Sequence, residues 1–305
     1  MKRTIHYLIE QNNLSIWDFL KEQHYPRSIF IQLKKKPNAV LLNQKPAFLY
    51  TKLYAKDELS ITFTDDTSSV HIVGQDIPID IIYEDEDLLI INKPPFCPIH
   101  PSQNHYLDSL ANAVCGYYDK QQIPFVFRCI NRLDKNTSGL TIIAKNMLSA
   151  AILSEEMKQR HISRTYLALV LGQVTGNGTI QAPIARKTDS TILRCVDDVN
   201  GKLAVTHYQS LAFNSSFSLL QIHLEQGRTH QIRVHFSYIN HPLLGDDLYG
   251  DSEANLQVSK QLNRQALHSY WLDFIHPITK KALHFEAPLP IDLLNYSEKL
   301  TNSFC

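Results

Sequence analysis

One acidic side chain lies among basic ones in a pattern that could support nucleophilic chemistry. The segment 128–145 contains Asp134 as its single acid, together with four Lys and Arg side chains. If Arg228 also lies near this turn, cations on several sides would favour the ionised carboxylate and keep Asp134 a charged nucleophile at neutral pH. The alternative is a surface loop with ordinary ion pairs, and spacing alone leaves both interpretations open.

A second segment, residues 225–235, could place a cation beside that acid. Gly227 allows a tight turn, and Thr229 can cap a helix that follows the turn. Arg228 then stands at the mouth of the turn, before the first helical residue. We therefore expect Arg228 to be the cation of this segment that faces a site.

A third segment contains a tyrosine on a predicted strand. Tyr166 shares a strand face with Ala168 and Val170, because successive side chains of a strand point to opposite faces. A tyrosine in this position is either a residue of the site or an ordinary core side chain whose hydroxyl bonds locally. The strand pattern leaves both interpretations open.

The sequence does not predict a metal site. His223, His230 and His235 are the histidines of the second segment and its approach, but helix positions five apart lie on different faces and no acid completes a ligand set. The five cysteines are widely spaced and include no C-x-x-C pair, which argues against a disulfide framework and a structural zinc site. We expect a protein without a metal, in a reducing cytoplasm.

Composition predicts a folded chain of about two domains, at ~150 residues each. The 305 residues are 44% hydrophobic and 20% charged, and no apolar run reaches the roughly 18 residues of a membrane span. The net charge is zero, but residues 1–64 carry ten Lys and Arg against five acids, and residues 65–87 carry eight acids with no Lys or Arg. The N-terminal arm is therefore cationic, and we expect no membrane partner.

The hydrophobic pattern predicts an α+β protein. A small N-terminal α/β module at 12–64 precedes an acidic linker at 65–78 and a larger domain at 80–290, whose strands outnumber its helices and form a large, mixed, mainly antiparallel sheet. The predicted helices are 14–22 with Ser15 as its cap, 28–36 ended by Pro37, 147–160 capped by Asn146, and 229–239. The predicted strands are 40–43, 59–63, 80–83, 88–92, 140–144, 165–171, 204–211, 218–224, 266–274 and 282–286.

Residues of about 80–290 resemble the RluA-type pseudouridine synthases. The resemblance lies in five motifs in the same order: YEDEDLLIINKP with IHP, NRLDKNTSGL, SRTYLALVLG, GRTHQIRVHFSYINHPLLGDDLYG, and RQALHSYWLDFIHP with APLP. Residues 12–64 resemble a diverged ribosomal S-four-type RNA-binding domain. The resemblance implies the pseudouridine synthase fold and isomerisation of a uridine in RNA without a cofactor. Large-subunit ribosomal RNA is the first expected substrate and transfer RNA the second.

The resemblance also implies a role for individual residues. Asp134 matches the catalytic aspartate, and Arg132 matches the residue that enters the RNA stack where the target base leaves. Tyr166 matches the tyrosine that contacts the flipped base and accepts a proton. Arg228 matches the arginine that pairs with the aspartate, and Ile232 matches the apolar residue that packs against the uracil. Flipping a base costs a few kcal/mol, which such a wedge and apolar pocket would offset.

The sequence departs from the family pattern at one position and leaves two alternatives. Asn131 stands where family members usually have His, which affects a neighbouring contact but leaves Arg132 and Asp134 in place. A nucleoside hydrolase would usually need two carboxylates, and no second acid accompanies Asp134 in the motifs. A non-catalytic RNA-binding protein would need only the cationic module, but the intact Asp134, Tyr166 and Arg228 argue against it. We expect the protein to be a monomer.

The lysine cluster of the N-terminal module generates a first prediction. Replacing Lys34, Lys35 and Lys36 with Gln should weaken RNA binding and flatten its dependence on salt, because the slope of log affinity against log salt falls by about one for every lysine that no longer pairs with a phosphate. RNA affinity measured at several salt concentrations checks this. An unchanged slope would show that these side chains do not contact phosphate.

Overall fold

Two large β-sheets organise the chain. The computed structural model describes residues 2–10, 12–64, 69, 71–250 and 253–301. The N-terminal module is built from the following elements: β1 (Lys2–Leu8), β2 (Leu14–Ser15), α1 (Ile16–Glu22), α2 (Arg27–Lys35), β3 (Val40–Leu42), β4 (Lys45–Pro46), β5 (Lys52–Leu53) and β6 (Glu58–Thr64). Its four-stranded sheet has the order β1-β6-β3-β4 and is antiparallel throughout.

Local signals define the helices of the module. The Ser15 hydroxyl accepts a 3.1 Å hydrogen bond from the Asp18 amide and so caps α1, as the sequence predicts. Pro26 precedes the first residue of α2, and that helix ends at Lys35, two residues before Pro37. Strand β1 lies before the predicted boundary at residue 12, yet it pairs along its whole length with β6.

The larger domain contains a nine-stranded sheet flanked by helices. Its strands are β7 (Ile81–Glu84), β8 (Leu88–Lys93), β9 (Ser138–Ala144), β10 (Ser163–Leu171), β11 (Asn177–Gln181), β14 (Val205–Phe213), β15 (Phe217–Leu224), β16 (Leu267–Ile275) and β17 (Ala282–Glu286). A separate hairpin consists of β12 (Ile184–Arg186) and β13 (Arg194–Val196). The helices are α3 (Leu110–Asp119), α4 (Met147–Lys158), α5 (Gln231–Tyr238), α6 (Glu253–Val258) and α7 (Ile291–Thr301).

The sheet is mixed and mainly antiparallel, as predicted. Its order is β11-β14-β15-β10-β16-β9-β8-β7, and β17 pairs with β16. Only the pairing of β16 with β9 is parallel among the described strands. Every predicted strand and helix is present with ends within two residues of those expected, which confirms the α+β class.

Three neighbouring strands bring distant parts of the sequence into one row. Tyr166 on β10 is paired with Ser269 on β16, and Ser269 is paired with Gly139 on β9. Gly139 has φ +107°, and a Cβ at this position would lie 2.2 Å from the Ser269 carbonyl oxygen. Only glycine allows this approach. The NTSGL motif therefore places the turn before β9 beside β16, and β16 in turn pairs with β10, the strand that contains Tyr166.

The predicted linker lies partly outside the described residues. Residues 65–68 are not described, but the part near Val73 is bound to the larger domain rather than free. The Asn112 side chain on α3 donates 2.8 Å to the Val73 carbonyl, and the Gln75 amide donates 2.9 Å to the Asn112 carbonyl. This stretch therefore packs along α3, an element that the sequence pattern did not predict.

The N-terminal module is attached to the larger domain by a shared core and an ion pair. Leu148 and Ile152 of α4 are buried in the hydrophobic core of the module. Arg3 on β1 binds Asp87 with two 3.0 Å hydrogen bonds, and the Asp87 side chain is only 3% exposed. Asp87 also accepts a 2.8 Å bond from the Asn146 side chain, the predicted cap of α4. One carboxylate thus joins both parts of the protein.

None of the helices within the described ranges combines the length and the apolar character needed to cross a bilayer.

The Arg3 ion pair generates a stability prediction. Replacing Arg3 with Leu leaves the buried Asp87 carboxylate with neutral donors only, so the free energy of unfolding should fall by about 2 kcal/mol, less than for a fully buried pair because Arg3 is partly exposed. Urea unfolding measures this change. Lys2→Leu on the same strand is the control, since Lys2 is exposed and its replacement should change stability by less than about 0.5 kcal/mol. Equal effects of both substitutions would contradict the prediction.

Candidate active site

An open cleft of about 640 Å³ lies where the Asp134 turn, β10 and the start of α5 meet. It is lined by the five residues of the larger domain that the sequence singled out, Arg132, Asp134, Tyr166, Arg228 and Ile232, and also by Arg233. Its volume is in the range of small-molecule and nucleoside sites. Side chains from three separate segments therefore converge on one cavity.

The lysines of the N-terminal module lie elsewhere. The Lys34 ammonium lies 5.2 Å from the centre of the Trp17 ring, Lys35 is exposed, and Lys36 donates a 2.7 Å hydrogen bond to the Thr64 carbonyl. None of the three lines the cleft. Any ligand that contacts these three lysines is therefore bound outside the cleft.

Asn131 holds the Asp134 turn against the sheet. Its side-chain amide donates 3.0 Å to the Leu140 carbonyl, and its side-chain oxygen accepts 2.7 Å from the Ile142 amide, both on β9. Asn131 is 3% exposed. Asn131, the residue that departs from the family pattern, is thus buried, and its side-chain hydrogen bonds attach the start of the Arg132–Asp134 stretch to β9.

Two buried cations hold the carbonyls that follow Asp134. Lys93 at the end of β8 donates 3.0 Å to the Lys135 carbonyl, and Arg264 donates 3.2 Å to the Asn136 carbonyl. Both cations are almost completely buried. Burial lowers the pKa of Lys93 to about 8. These bonds hold the backbone on the C-terminal side of Asp134, from which its side chain projects into the cleft.

The cation beside Asp134 is Arg233. The Arg233 guanidinium lies 3.4 Å from one Asp134 oxygen, and the Asp134 side chain is 27% exposed to the cleft. Arg233 is 4% exposed and makes two 2.7 Å hydrogen bonds to Asp246. Burial disfavours the charge of Arg233, but the bonds to Asp246 outweigh this effect and raise its pKa. Arg233 is therefore a permanent cation held in place by a second carboxylate.

The predicted pairing of Arg228 with Asp134 is wrong. Arg228 lies in the turn before α5, where its Nε donates 3.0 Å to the Leu203 carbonyl and its amide donates 3.0 Å to the Gln231 side chain. Arg228 lines the cleft without an ion pair to Asp134 among the described contacts. Arg233, which is five residues after Arg228 and in the first turn of α5, lies beside Asp134 instead. The local sequence pattern does not show which of the two arginines faces the carboxylate.

The start of α5 also differs from the prediction. Thr229 does not cap the helix, because His230 is the capping residue and has left-handed backbone angles, φ 58° and ψ 21°, with no side-chain cap bond. The His230 Nδ1 lies 2.8 Å from the Tyr249 hydroxyl, and its Nε2 lies 3.9 Å from Asp134, too far for a hydrogen bond. Burial lowers the pKa of His230, and the nearby Asp134 carboxylate opposes this effect.

Tyr166 and Ile232 form the apolar wall of the cleft. Tyr166 is 5% exposed and Ile232 is 4% exposed, and both belong to a core cluster with Leu133. Burial raises the pKa of Tyr166, and the neighbouring Arg164 opposes that rise. Tyr166 is thus both a core side chain and a residue of the cleft, so the two interpretations of the sequence are compatible.

The three histidines considered as metal ligands have separate partners. His223 Nδ1 lies 3.2 Å from the Thr165 hydroxyl, and His235 Nδ1 lies 2.8 Å from the Thr206 hydroxyl. His230 faces Tyr249 and Asp134 instead. The geometry therefore does not bring them together as one ligand set.

The comparisons with known proteins agree on one family. A family model described as RNA pseudouridylate synthase matches residues 87–238. The Uncharacterized RNA pseudouridine synthase YjbO of Bacillus subtilis (strain 168) is 40% identical over 238 residues, which cover 78% of this chain and 82% of that relative. The chain belongs to the RNA pseudouridylate synthase family.

Other members of the family support this assignment. Ribosomal large subunit pseudouridine synthase D of Escherichia coli (strain K12) is 39% identical over 240 residues, 75% of this chain and 73% of that relative. The structure of Human RNA Pseudouridylate Synthase Domain Containing 1 matches with a TM-score of 0.58 at 25% identity, over 71% of this chain and 86% of that chain. The predicted family and fold are confirmed, and this synthase is an isomerase that acts on RNA.

Sequence reasoning missed four residues around the carboxylate: Lys93, Arg233, Asp246 and Tyr249. The GRTHQIR motif contains two arginines, so the choice between them needed the exact start of α5. The LLGDDLYG motif contains both the buried acid that binds Arg233 and the tyrosine whose ring lies 5.1 Å from its guanidinium. The two adjacent acids of this otherwise largely apolar motif, Asp246 and Asp247, were the available signal.

The two arginines of the GRTHQIR motif generate a prediction about activity. Arg233→Lys should lower kcat at least ~100-fold, because an ammonium cannot bind both oxygens of Asp246 and still reach Asp134. Arg228→Lys is the matched control, with an expected decrease of less than about tenfold, since its one side-chain bond is to a backbone carbonyl. Pseudouridine formation under single-turnover conditions measures both. A larger decrease for Arg228→Lys would reverse the assignment.

Proposed function

We propose that this synthase isomerises a uridine of large-subunit ribosomal RNA, with Asp134 as its single nucleophile. The observation that carries this proposal is a partly exposed carboxylate beside a buried, permanently charged arginine, Arg233, in a cleft with an apolar wall. Relatives named ribosomal large subunit pseudouridine synthase D support the substrate. Four of the five motifs contribute residues to the lining of this cleft.

The carboxylates of the cleft fit an isomerase better than a hydrolase. Hydrolytic glycosidases usually place a second acid where it can activate or replace water. Glu225, the other carboxylate among the described residues that line the cleft, binds Arg160 at 2.7 Å and His207 at 3.0 Å. Asp246 is buried and bound to Arg233. The arrangement therefore supports one nucleophile rather than an acid and base pair.

The reaction needs no added redox or hydrolytic partner. The Asp134 carboxylate attacks the anomeric carbon, or assists formation of a glycal, as the bond from that carbon to ring nitrogen one breaks and its electron pair leaves with the uracil. The uracil turns within the pocket, and carbon five attacks the anomeric carbon as the bond from that carbon to the Asp134 oxygen breaks and frees the carboxylate. In the glycal route, the proton removed from the neighbouring sugar carbon returns to that carbon as the bond to carbon five forms. The proton on carbon five is then lost while nitrogen one gains one. Substrate and product are isomers, so the proposal includes no cofactor.

Three other side chains would take part in flipping and binding the target base. Arg132 is exposed at the rim of the cleft, two residues before Asp134, where it can fill the space that the uridine leaves in the RNA stack. Ile232 would pack against the uracil face. Tyr166 would contact the base and accept the proton from carbon five, as the resemblance to the family implies.

The N-terminal module would add a second RNA contact. Its resemblance to an S-four-type RNA-binding domain and its excess of basic side chains support phosphate binding by Lys34, Lys35 and Lys36. We propose that the synthase acts as a monomer in the cytoplasm. Transfer RNA is the second candidate substrate.

The Asp134 substitution tests the proposed function. Asp134→Asn should abolish pseudouridine formation because a neutral amide is not a nucleophile for the anomeric carbon, while RNA affinity stays within about twofold. Asp189→Asn, on an exposed loop, is the matched control and should keep full activity. The assay maps pseudouridine in total RNA from cells in which the native gene is deleted and a single variant is supplied in its place. Full modification by Asp134→Asn would contradict the role of Asp134 as the nucleophile. A target found only in transfer RNA would contradict large-subunit ribosomal RNA as the substrate.

The Tyr166 hydroxyl generates a separate prediction. Since burial raises the pKa of Tyr166, little phenolate exists at neutral pH, and turnover should increase with pH as the phenolate fraction grows. Tyr166→Phe should lower kcat by about 100-fold and remove this increase. Tyr208→Phe on β14 is the control. If Tyr166→Phe turned over at the wild-type rate, the residue would serve only to pack against the base.

A further inference from the structure

Three aromatic side chains of the N-terminal module are exposed on one short segment. Phe48, Tyr50 and Tyr54 are 67%, 75% and 57% exposed. The rings of Phe48 and Tyr50 are stacked, with centroids 5.3 Å apart and planes only 3° from parallel. Single exposed hydrophobic residues are common on protein surfaces, but a stacked and exposed pair is a contiguous apolar surface that usually marks a binding site.

The segment that carries these rings is firmly anchored. Leu49 and Leu53, which alternate with the exposed aromatics, are buried in the core of the module. The Trp17 amide at the start of α1 donates 2.7 Å to the Leu49 carbonyl. The Phe48 amide donates 3.2 Å to the Thr51 hydroxyl, which closes the turn. The outward direction of the two rings is therefore built into the fold and costs little entropy when a ligand binds.

The charge of this segment identifies the chemistry of the ligand. Residues 43–56 contain Lys45, Lys52 and Lys56 and no acidic residue, and Asp57 and Glu58 follow. The Asp57 carboxylate accepts 2.8 Å hydrogen bonds from the Tyr54 amide and from the Asn43 side chain. All three lysines are exposed. Aromatic rings interleaved with cations suit single-stranded nucleic acid, because bases stack on the rings and phosphates pair with the ammonium groups.

We propose that Phe48 and Tyr50 form a stacking platform for unpaired nucleobases of the RNA substrate. The proposal rests on the proposed function, in that it requires RNA as the substrate. A ring face accepts any base, so the platform would select single-stranded RNA over duplex RNA without reading its sequence. The lysines of the segment hold the backbone of the same strand. The platform is thus an RNA site distinct from both the cleft around Asp134 and the cluster of Lys34, Lys35 and Lys36.

A second copy of this chain is the other candidate for covering the platform. Pairing two such surfaces would bring six lysines together without a compensating acid in the segment 43–56. Like charges in such an interface are destabilising. RNA, which supplies the opposite charge, fits the same surface without this cost.

The test compares single-stranded and duplex RNA. The probes are an unstructured RNA oligonucleotide carrying 2-aminopurine and an RNA duplex of the same length. For the double variant Phe48→Ala with Tyr50→Ala in the full chain, the dissociation constant for the single strand should rise about tenfold or more, as expected when two bases no longer stack. The affinity for the duplex should change by less than about twofold, and the quenching of 2-aminopurine fluorescence on binding should decrease.

Two further variants separate stacking from general effects. Phe48→Trp should keep or strengthen binding, since tryptophan retains a ring face. Leu8→Ala, which removes another exposed apolar side chain of the same module, should leave single-strand affinity unchanged. Equal weakening of single-strand and duplex binding by the double variant would overturn the proposal. The proposal would also be overturned if the wild-type chain self-associates in sedimentation experiments and the only effect of the double substitution is to abolish that self-association.

The outcome is independent of the test of Asp134. If Asp134→Asn loses activity and the double variant binds single strands like the wild type, the proposed function stands and the platform is refuted. If Asp134→Asn keeps activity while the double variant loses single-strand affinity, the platform stands as an RNA site and the assignment of the nucleophile is refuted.

Discussion

The candidate site depends on how one buried guanidinium is shared among three carboxylates, those of Asp246, Asp134 and the exposed Asp247. Arg233 makes its short bonds, both 2.7 Å, to the fully buried Asp246 and reaches Asp134 at only 3.4 Å. Asp246 therefore makes the tight pair with the guanidinium, and Asp134 is not locked into one. A carboxylate in that condition keeps lone pairs available for a reacting carbon. Removal of Asp246 would leave a buried cation whose remaining carboxylate partners are Asp134 and Asp247, both at 3.4 Å.

The sheet supplies the positions on which this balance depends. Parallel pairing of β9 with β16 and antiparallel pairing of β16 with β10 place the Asp134 turn and Tyr166 along one row of strands. Lys93 and Arg264 then hold the backbone just after Asp134. Arg264 is itself bound by Asp292 of α7 at 2.7 Å. The orientation of the carboxylate is thus connected to a helix near the end of the chain.

The N-terminal module extends the protein beyond the region of the family match. Residues 87–238 carry the match, and the module precedes them. Its attachment through Arg3, Asp87 and the shared core with α4 gives it a defined orientation towards the larger domain. Surface residues of the module are therefore at fixed distances from the cleft, which a loosely tethered domain would not provide.

Local signals in the sequence determined much of this protein, and long-range packing determined the rest. The caps at Ser15 and Asn146, the stop before Pro37 and the period-two strands could be predicted because each depends on neighbouring residues. The motifs identified the family and most of the cleft. The identity of the cation beside Asp134 could not be predicted, because it depends on the rotation of α5 and on Asp246, thirteen residues beyond Arg233. The roles of Lys93, Asn131 and β1 likewise depend on strands that meet only in the folded chain.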